Sequence, residues 1–383
     1  KTAYEISLGL VGSEMCIRDS STTTQSNNTV TLLDKRWTVK QTLEHDGAST
    51  YGYNQIVKMD DNNFLVQYSG SSNDGYLSTF TIDTDGDPIT EVTSIEWSSN
   101  SVNYSSMVKM SDDLYAIAYW GYNNSGTDYD GTSTITSSVY GNWISVFQVK
   151  SDGSVIKEIG NLRHDKENSS EPYSSLIKVD DDTYALAYNS ENSYNPNGTG
   201  WGGWIKTFTI NGGSITQTAQ LRHHTSYGRH NSLVQVDANT FALAWEDDSN
   251  DGYITTFTIP ADGSSITEVS GQLKHSDDNA EYPSFAQLDA DTYILAYQGA
   301  DADGYISTFT IQADGTGITK VATLEHDEVY NHTNSLIKID ENKMLLAMEG
   351  KDQDGYLSSF EISCWKYLSA DPLAIAPRDP IPR

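Results

Sequence analysis

Cysteine, basic charge and long apolar runs are all scarce in this chain. Its two cysteines, Cys16 and Cys364, both fall outside residues 37–363, so that stretch can hold no internal disulfide. Two thiols at the ends do not identify a redox compartment. Lys and Arg number 23 against 53 Asp and Glu, a formal charge of −30. A field of that sign repels phosphate, which argues against nucleic acid and anionic membranes as partners. It favours solubility and cation binding, although a solvated acidic surface needs no partner at all. No apolar run approaches the length of a membrane span, so membrane insertion is not expected. Arginine is the scarcer of the two cationic types: between residues 21 and 363 only Arg36, Arg163, Arg222 and Arg229 occur. There is no Gly-rich phosphate loop, nucleophile elbow or His-x-x-x-His pair.

The two ends stand apart. Residues 1–20, KTAYEISLGLVGSEMCIRDS, share nothing with the rest of the chain. Leu10–Ser20 back-translates codon by codon into a sequence that resembles the adaptor of transposase-based sequencing libraries, with its transposon mosaic end. Residues 1–20 are therefore set outside the fold. That reading expects the native N-terminus, with any export signal, to be missing. Residues 21–36 read as a leader or the remnant of an upstream strand, and residues 364–383 as a Pro-rich tail or linker.

Between these ends, residues 37–363 form a tandem repeat. Its central phenylalanine recurs at Phe80, Phe147, Phe208, Phe257, Phe309 and Phe360, with spacings of 67, 61, 49, 52 and 51 residues. A base period near ~50 is that of a propeller blade. In the fifth copy four runs alternate in period two: A, Ser284–Leu288; B, Thr292–Tyr297; C, Tyr305–Ile311; D, Ile318–Leu324. The connections carry turn residues: Asp289-Ala-Asp291, Asp303-Gly304 and Asp314-Gly315. The Asp-Gly pairs are expected to supply the positive φ of a tight turn. Strand B is apolar on both faces, as expected of a sheet packed between two others.

The fold class these patterns imply is all-β, a six-bladed β-propeller with four-stranded antiparallel blades. The strand-like run Trp37–His45 would complete the sixth blade and leave no open ring edge. Thr29–Leu33 resembles the end of a further strand C, so the remainder of a seven-bladed ring stays open. The resemblance is to the architecture, not to a named family. Trp-Asp signatures, a Gly doublet recurring from unit to unit, and the Ser-x-Asp-x-Gly-x-x-Trp boxes of sialidases are all missing. The units are similar to uncharacterised repeats of secreted marine bacterial proteins, which implies an extracellular or cell-surface setting; separately, the ring is expected to be monomeric.

Function on a repeat scaffold is expected where the units differ. The A–B and C–D turns are uniform, whereas the D–A and B–C loops vary. Two B–C insertions, 120–143 and 189–204, concentrate aromatics: Trp120, Tyr122, Tyr129, Tyr140, Trp143, Tyr194, Trp201 and Trp204. Flat amphipathic rings among short amides and hydroxyls suit sugars and equally protein surfaces, or they pack the loops themselves. A ring at the start of strand A, Tyr53, Tyr104, Tyr173, His230, Tyr282 and Thr333, is placed at the mouth of the central channel, or else packs blade on blade. Asp301 and Asp303, and likewise Asp352 and Asp354, alternate in B–C turns and offer a calcium site, although turn chemistry alone explains them. His45, His164, His223, His275 and His326 close strand D at equivalent positions, with Trp97 in the sixth, and read as frame. His224, Arg229 and His230 break the repeat and are candidates for polar contact with a ligand.

Catalysis needs unique groups, yet nearly every carboxylate here has a counterpart in other units. The preferred reading is a binding module for a glycan or a surface protein. A glycan-processing enzyme using Glu171 or Glu191 as acid, and a passive spacer in an adhesin, are the alternatives.

Overall fold

The computed structural model describes residues 54–82, 88–123, 125–166, 173–191, 201–269, 271–328, 331–340, 343–350 and 355–361, together with Leu43. The strand-like runs 29–33 and 37–45, candidates to extend or close the ring, lie outside these residues except for Leu43. So do residues 1–20, the tail from Cys364, Tyr53, Glu171, Tyr194, Asp352 and Asp354.

The described chain is all-β and antiparallel almost throughout, with two short 3₁₀ turns at Ser71–Asn73 and Ala300–Ala302. Among these residues no helix is long and apolar enough to cross a membrane. Strands succeed one another in order A-B-C-D, and the fifth unit shows it most clearly. Glu281–Gln287 pairs with Thr292–Gln298, that with Gly304–Ile311, and that with Ile318–Asp327. Among the described residues six such units succeed one another, the last described as three strands, His332–Asp340, Lys343–Glu349 and Gly355–Glu361. The outer strand of the first unit and the inner strand of the second are one continuous run, Ile89–Lys109.

The core lies between units, not within them. Because strand B is apolar on both faces, each of the four inner sheets contributes to two interfaces, and five clusters of buried side chains fill the five junctions between successive units. Met59, Leu65 and Leu77 of the first unit meet Tyr115, Ile117 and Phe147 of the second. Ala242, Ala244 and Ile254 of the fourth meet Tyr293, Leu295 and Phe309 of the fifth. Polar latches repeat beside them. The backbone N–H groups of Leu176, Leu233, Phe285 and Leu336 donate to Ser106, Ser175, Ser232 and Ser284 of the preceding inner strand, at 2.8–3.0 Å. Thr79, Thr207 and Thr256 each donate at 2.7 Å to the carbonyl of a turn glycine in the following unit, Gly153, Gly263 and Gly315. The result is a β-propeller-like succession of four-stranded sheets.

The Asp-Gly pairs turn out to do two different jobs. Gly153, Gly263 and Gly315, in C–D turns, do adopt left-handed φ of 71°, 63° and 74°. Gly75, Gly252 and Gly304, which open strand C, do not, and the expectation for Asp303-Gly304 is corrected on this point. They are glycine because a ring closing strand D lies against them. A Cβ on Gly75 would sit 2.9 Å from the Trp97 ring, on Gly252 2.6 Å from His275, and on Gly304 2.7 Å from His326. Those rings pack edge-on against the next unit: His275 on Tyr297 and Phe309, His326 on Phe360, and Trp97 on Tyr119 and Phe147. A methyl group at Gly252 would meet both His275 and the Cβ of Ala280. Gly252→Ala is therefore expected to lower stability by about 1–3 kcal/mol, read as a shift of the urea midpoint at constant m-value.

Candidate functional site

The inner strands bring one repeated position of five units, joined from the first unit by Asn54 beside Tyr53, to a single cavity of about 710 Å³. Asn54, Tyr104, Tyr173, His230, Tyr282 and Thr333 line it, each from a different unit. Further lining comes from Ala347, Met348 and Glu349 at the end of a strand B. The cavity therefore opens where the D–A and B–C connections emerge.

A repeated backbone irregularity aims these residues inward. The A–B register slips between Asn103 and Ser106, Arg229 and Ser232, Glu281 and Ser284, and His332 and Ser335. In each slip one residue takes a left-handed φ: Tyr104 at 51°, His230 at 53°, Tyr282 at 51° and Thr333 at 48°. Non-glycine residues hold that conformation at a cost of about 1–3 kcal/mol, and a bulge is the ordinary means of re-aiming a strand residue. Regular pairing would have continued the strict two-face alternation at these positions.

The rings then touch in sequence. Tyr104 meets Tyr173 edge-on at 4.6 Å, and Tyr173 stacks on His230 at 4.2 Å. His230 and Tyr173 meet Tyr282 at 4.9 and 5.3 Å, and Tyr282 lies 3.7 Å from His332. On the other side Tyr104 faces Trp120 at 6.2 Å, and Trp120 and Tyr122 flank Tyr140 at 4.4 and 4.5 Å. The strand-A ring and part of the first insertion thus form one aromatic tract.

The remaining insertion aromatics go elsewhere. Trp143 is fully buried in the junction between the first two units, and Trp204 is nearly so between the second and third. Both belong to the frame. Tyr129 lies beneath Arg163 and Lys166 on a small ribbon, Gly126–Thr127 with Thr134–Ile135, folded onto strand D of its own unit. Two hydrogen bonds of 2.8 Å from Arg163 to Asp128 pin that ribbon. Trp201 stacks on Tyr227 at 5.3 Å, and His224 packs on Trp245 while its Nδ1 lies 2.6 Å from the Tyr227 carbonyl. Glu191 ends a strand B opposite Trp201. Asp301 and Asp303 stand at the Ala300–Ala302 turn and join no cluster of three potential metal ligands among the described residues.

One such cluster does occur there: His230, Glu246 and Glu281, with ligand atoms within 4.8 Å of one another. Glu246 has no exposed surface. Its Oε1 accepts from Arg229 Nε at 2.8 Å and its Oε2 from the Ala280 N–H at 3.1 Å. Arg229 also donates to Asn250 at 2.5 Å. Burial pushes the Glu246 carboxyl up to about 7, with Arg229 and the Ala280 N–H opposing and Glu281 adding to the rise. Burial holds His230 far below the usual imidazole range, helped by Arg229 and His332. The Tyr282 N–H donates to His230 Nδ1 at 3.2 Å, which assigns the ring proton to Nε2. An Nε2–H cannot ligate a cation. Both Glu246 oxygens are already engaged, by Arg229 and by the Ala280 N–H.

Glu246 went unnoticed in the sequence although a signal existed. Its position at the end of strand B holds Ser69, Trp120, Asn189 and Gln298 in four other units and a carboxylate, Glu349, only in the sixth, so it is not part of the regular frame. Its partner Arg229 stands just before the bulge, and the sixth unit places His332 opposite Glu349 at 3.5 Å in the same relation.

No protein-family model matches the chain, and no curated protein matches it in sequence. Solved structures do share its fold. A protein of unknown function from Dyadobacter fermentans has a TM-score of 0.52 at 12% identity, over 81% of this chain and 94% of its own. A variant of the NanB sialidase from Streptococcus pneumoniae has a TM-score of 0.52 at 10% identity, over 83% of this chain and 68% of its own. The same sialidase bound to a substituted ammonioethanesulfonate has 0.50 at 10%, over 84% and 69%. At such identities the likeness establishes the arrangement of strands and nothing about chemistry.

Proposed function

We propose that the six units close into a six-bladed β-propeller, with residues 37–45 as the outer strand of the sixth blade, and that its channel mouth binds a glycan outside the cell. The observation that carries this reading is the aromatic tract opening onto the 710 Å³ cavity. Sugar rings offer C–H faces to tyrosine and hydroxyls to the amides of Asn54, Asn231 and Asn334, which share the lining. The volume lies in the range of about 300–1,000 Å³ usual for small-molecule sites. The sialidase neighbours are consistent with a scaffold suited to glycans.

The enzyme reading has its own observation, the Glu246–Glu281 pair with an elevated carboxyl. Glu246 is sealed from solvent and engaged through both oxygens, so it serves better to hold Arg229 than to donate a proton to substrate. A glycan array followed by calorimetry tests the proposal. Tyr173, which touches Tyr104, His230 and Tyr282, is the hub of the tract. Tyr173→Ala is expected to weaken an array hit by about tenfold or more while the protein stays folded by circular dichroism. Silence of the wild-type array, or binding unaffected by the substitution, overturns the reading. Shortened sugars in the eluate would favour the enzyme.

A further inference from the structure

Resting on that reading, we infer that the channel mouth selects an amino sugar, a pyranose bearing a protonated primary amine, over acidic or N-acylated sugars. Among the described residues none that lines the cavity is Lys or Arg. The carboxylate in the lining is Glu349, on the wall formed by the sixth unit. His230 is buried beneath the tyrosines and neutral. The nearest guanidinium, Arg229, belongs to the residue next to His230 but is held by Glu246 and Asn250, and does not line the cavity.

An anionic sugar entering here would lose its hydration and meet no Lys or Arg among the described lining residues to offset that cost. An ammonium group would meet the opposite. Tyr104, Tyr173 and Tyr282 line the cavity as a run of touching rings, and a cation within about 6 Å of such a ring's centroid is attracted by its π-electrons. Glu349 supplies a formal counter-charge. The −30 charge of the whole chain adds a field that concentrates cations and excludes anions at low ionic strength. The same tyrosines stack on the C–H face of the ring, so the amine and the sugar are read together.

The test is a set of titrations with a glucosamine tetramer, its fully N-acetylated counterpart and a sialylated trisaccharide. The glucosamine tetramer is expected to bind about tenfold tighter than the acetylated one, with the gap narrowing as salt rises from about 0.02 to about 0.5 M. The sialylated sugar is expected to bind least. Glu349→Gln should reduce the preference for the amine severalfold, and Tyr282→Ala should weaken both tetramers. Equal or tighter binding of the acetylated or sialylated sugar overturns the selectivity while leaving glycan binding intact. A gap that ignores salt and Glu349→Gln overturns the charge assignment. Failure of all three sugars to bind overturns this inference, and the proposed function falls with it only where the full glycan array is silent as well.

Discussion

Bringing the pH from 7 to 5 is expected to cost this protein several kcal/mol of stability, with its histidines as the cause. His164, His223, His230 and His275 are all buried. Burial depresses His223 and His275 to about 3, and it holds His164 and His230 well below the usual range. An unfolded chain titrates its histidines near 6.5. As the pH falls below that value the unfolded state takes up protons that the folded state refuses, so stability present above about 6.5 is lost progressively toward 3. At pH 5 this amounts to about 2 kcal/mol for each of His223 and His275, with His164 and His230 acting in the same direction. Glu246 opposes them. Its folded value of about 7 lies above its unfolded one, so it contributes stability at low pH that is lost as the pH rises through 7. One carboxyl returns about 2 kcal/mol over the same interval, and relief of the acidic self-repulsion adds to it. The histidines outnumber it, and net stabilities are only about 5–15 kcal/mol. Urea midpoints at pH 7, 6 and 5 give the slope. His275→Phe keeps the edge-on packing against Tyr297 and Phe309 and should make that slope shallower by one proton. A midpoint that holds level or rises toward pH 5 would refute the assignment.

A comparable effect is expected from Arg229→Met, with the opposite pH signature. The substitution leaves Glu246 buried without its ion pair, a situation that costs about 3–5 kcal/mol when the charge persists. Arg229 is the principal influence holding the Glu246 carboxyl down, so its loss raises the folded value further above 7. Each unit of that rise removes about 1.4 kcal/mol at high pH. Near pH 5–6, where Glu246 is already protonated, the deficit should shrink. The variant is therefore expected to look nearly normal in mild acid and damaged at pH 9. Arg229→Met combined with Glu246→Gln should recover most of the loss at pH 9, because no buried charge remains. A deficit that is the same at both pH values, or a double variant that is no better, would falsify the role given to this pair.

The frame was legible in the sequence because period-two alternation and a period near ~50 are properties of neighbouring residues. Strand B of the fifth unit, expected at Thr292–Tyr297, runs Thr292–Gln298. Five of the strand-A residues, Tyr104, Tyr173, His230, Tyr282 and Thr333, were legible for the same reason, since equivalent positions of successive repeats recur on one side and here line one cavity. The destination of the loop aromatics was not. Trp120 and Trp143 bound the same insertion, yet they stand at adjacent register positions, Trp143 opposite Tyr119 and Trp120 opposite Asn142, so one faces the tract and the other the core. Nor could the sequence separate two kinds of Asp-Gly: Gly315 is required by its φ and Gly304 by a histidine twenty-two residues on. The pairing of Arg229 with Glu246 was hidden by the bulge, which shifts the register that alternation would assume.

The unbroken run Ile89–Lys109 has a consequence for how the molecule opens. Elsewhere a loop between one outer strand and the next inner strand lets neighbouring sheets breathe separately. Here the outer strand of the first unit and the inner strand of the second share a backbone without slack, so fraying one pulls directly on the other. Amide protons on Leu77 and on Ile117, in different sheets, should therefore exchange with deuterium in a single step of shared free energy. Protease nicking would spare this seam and enter at the loops between later units.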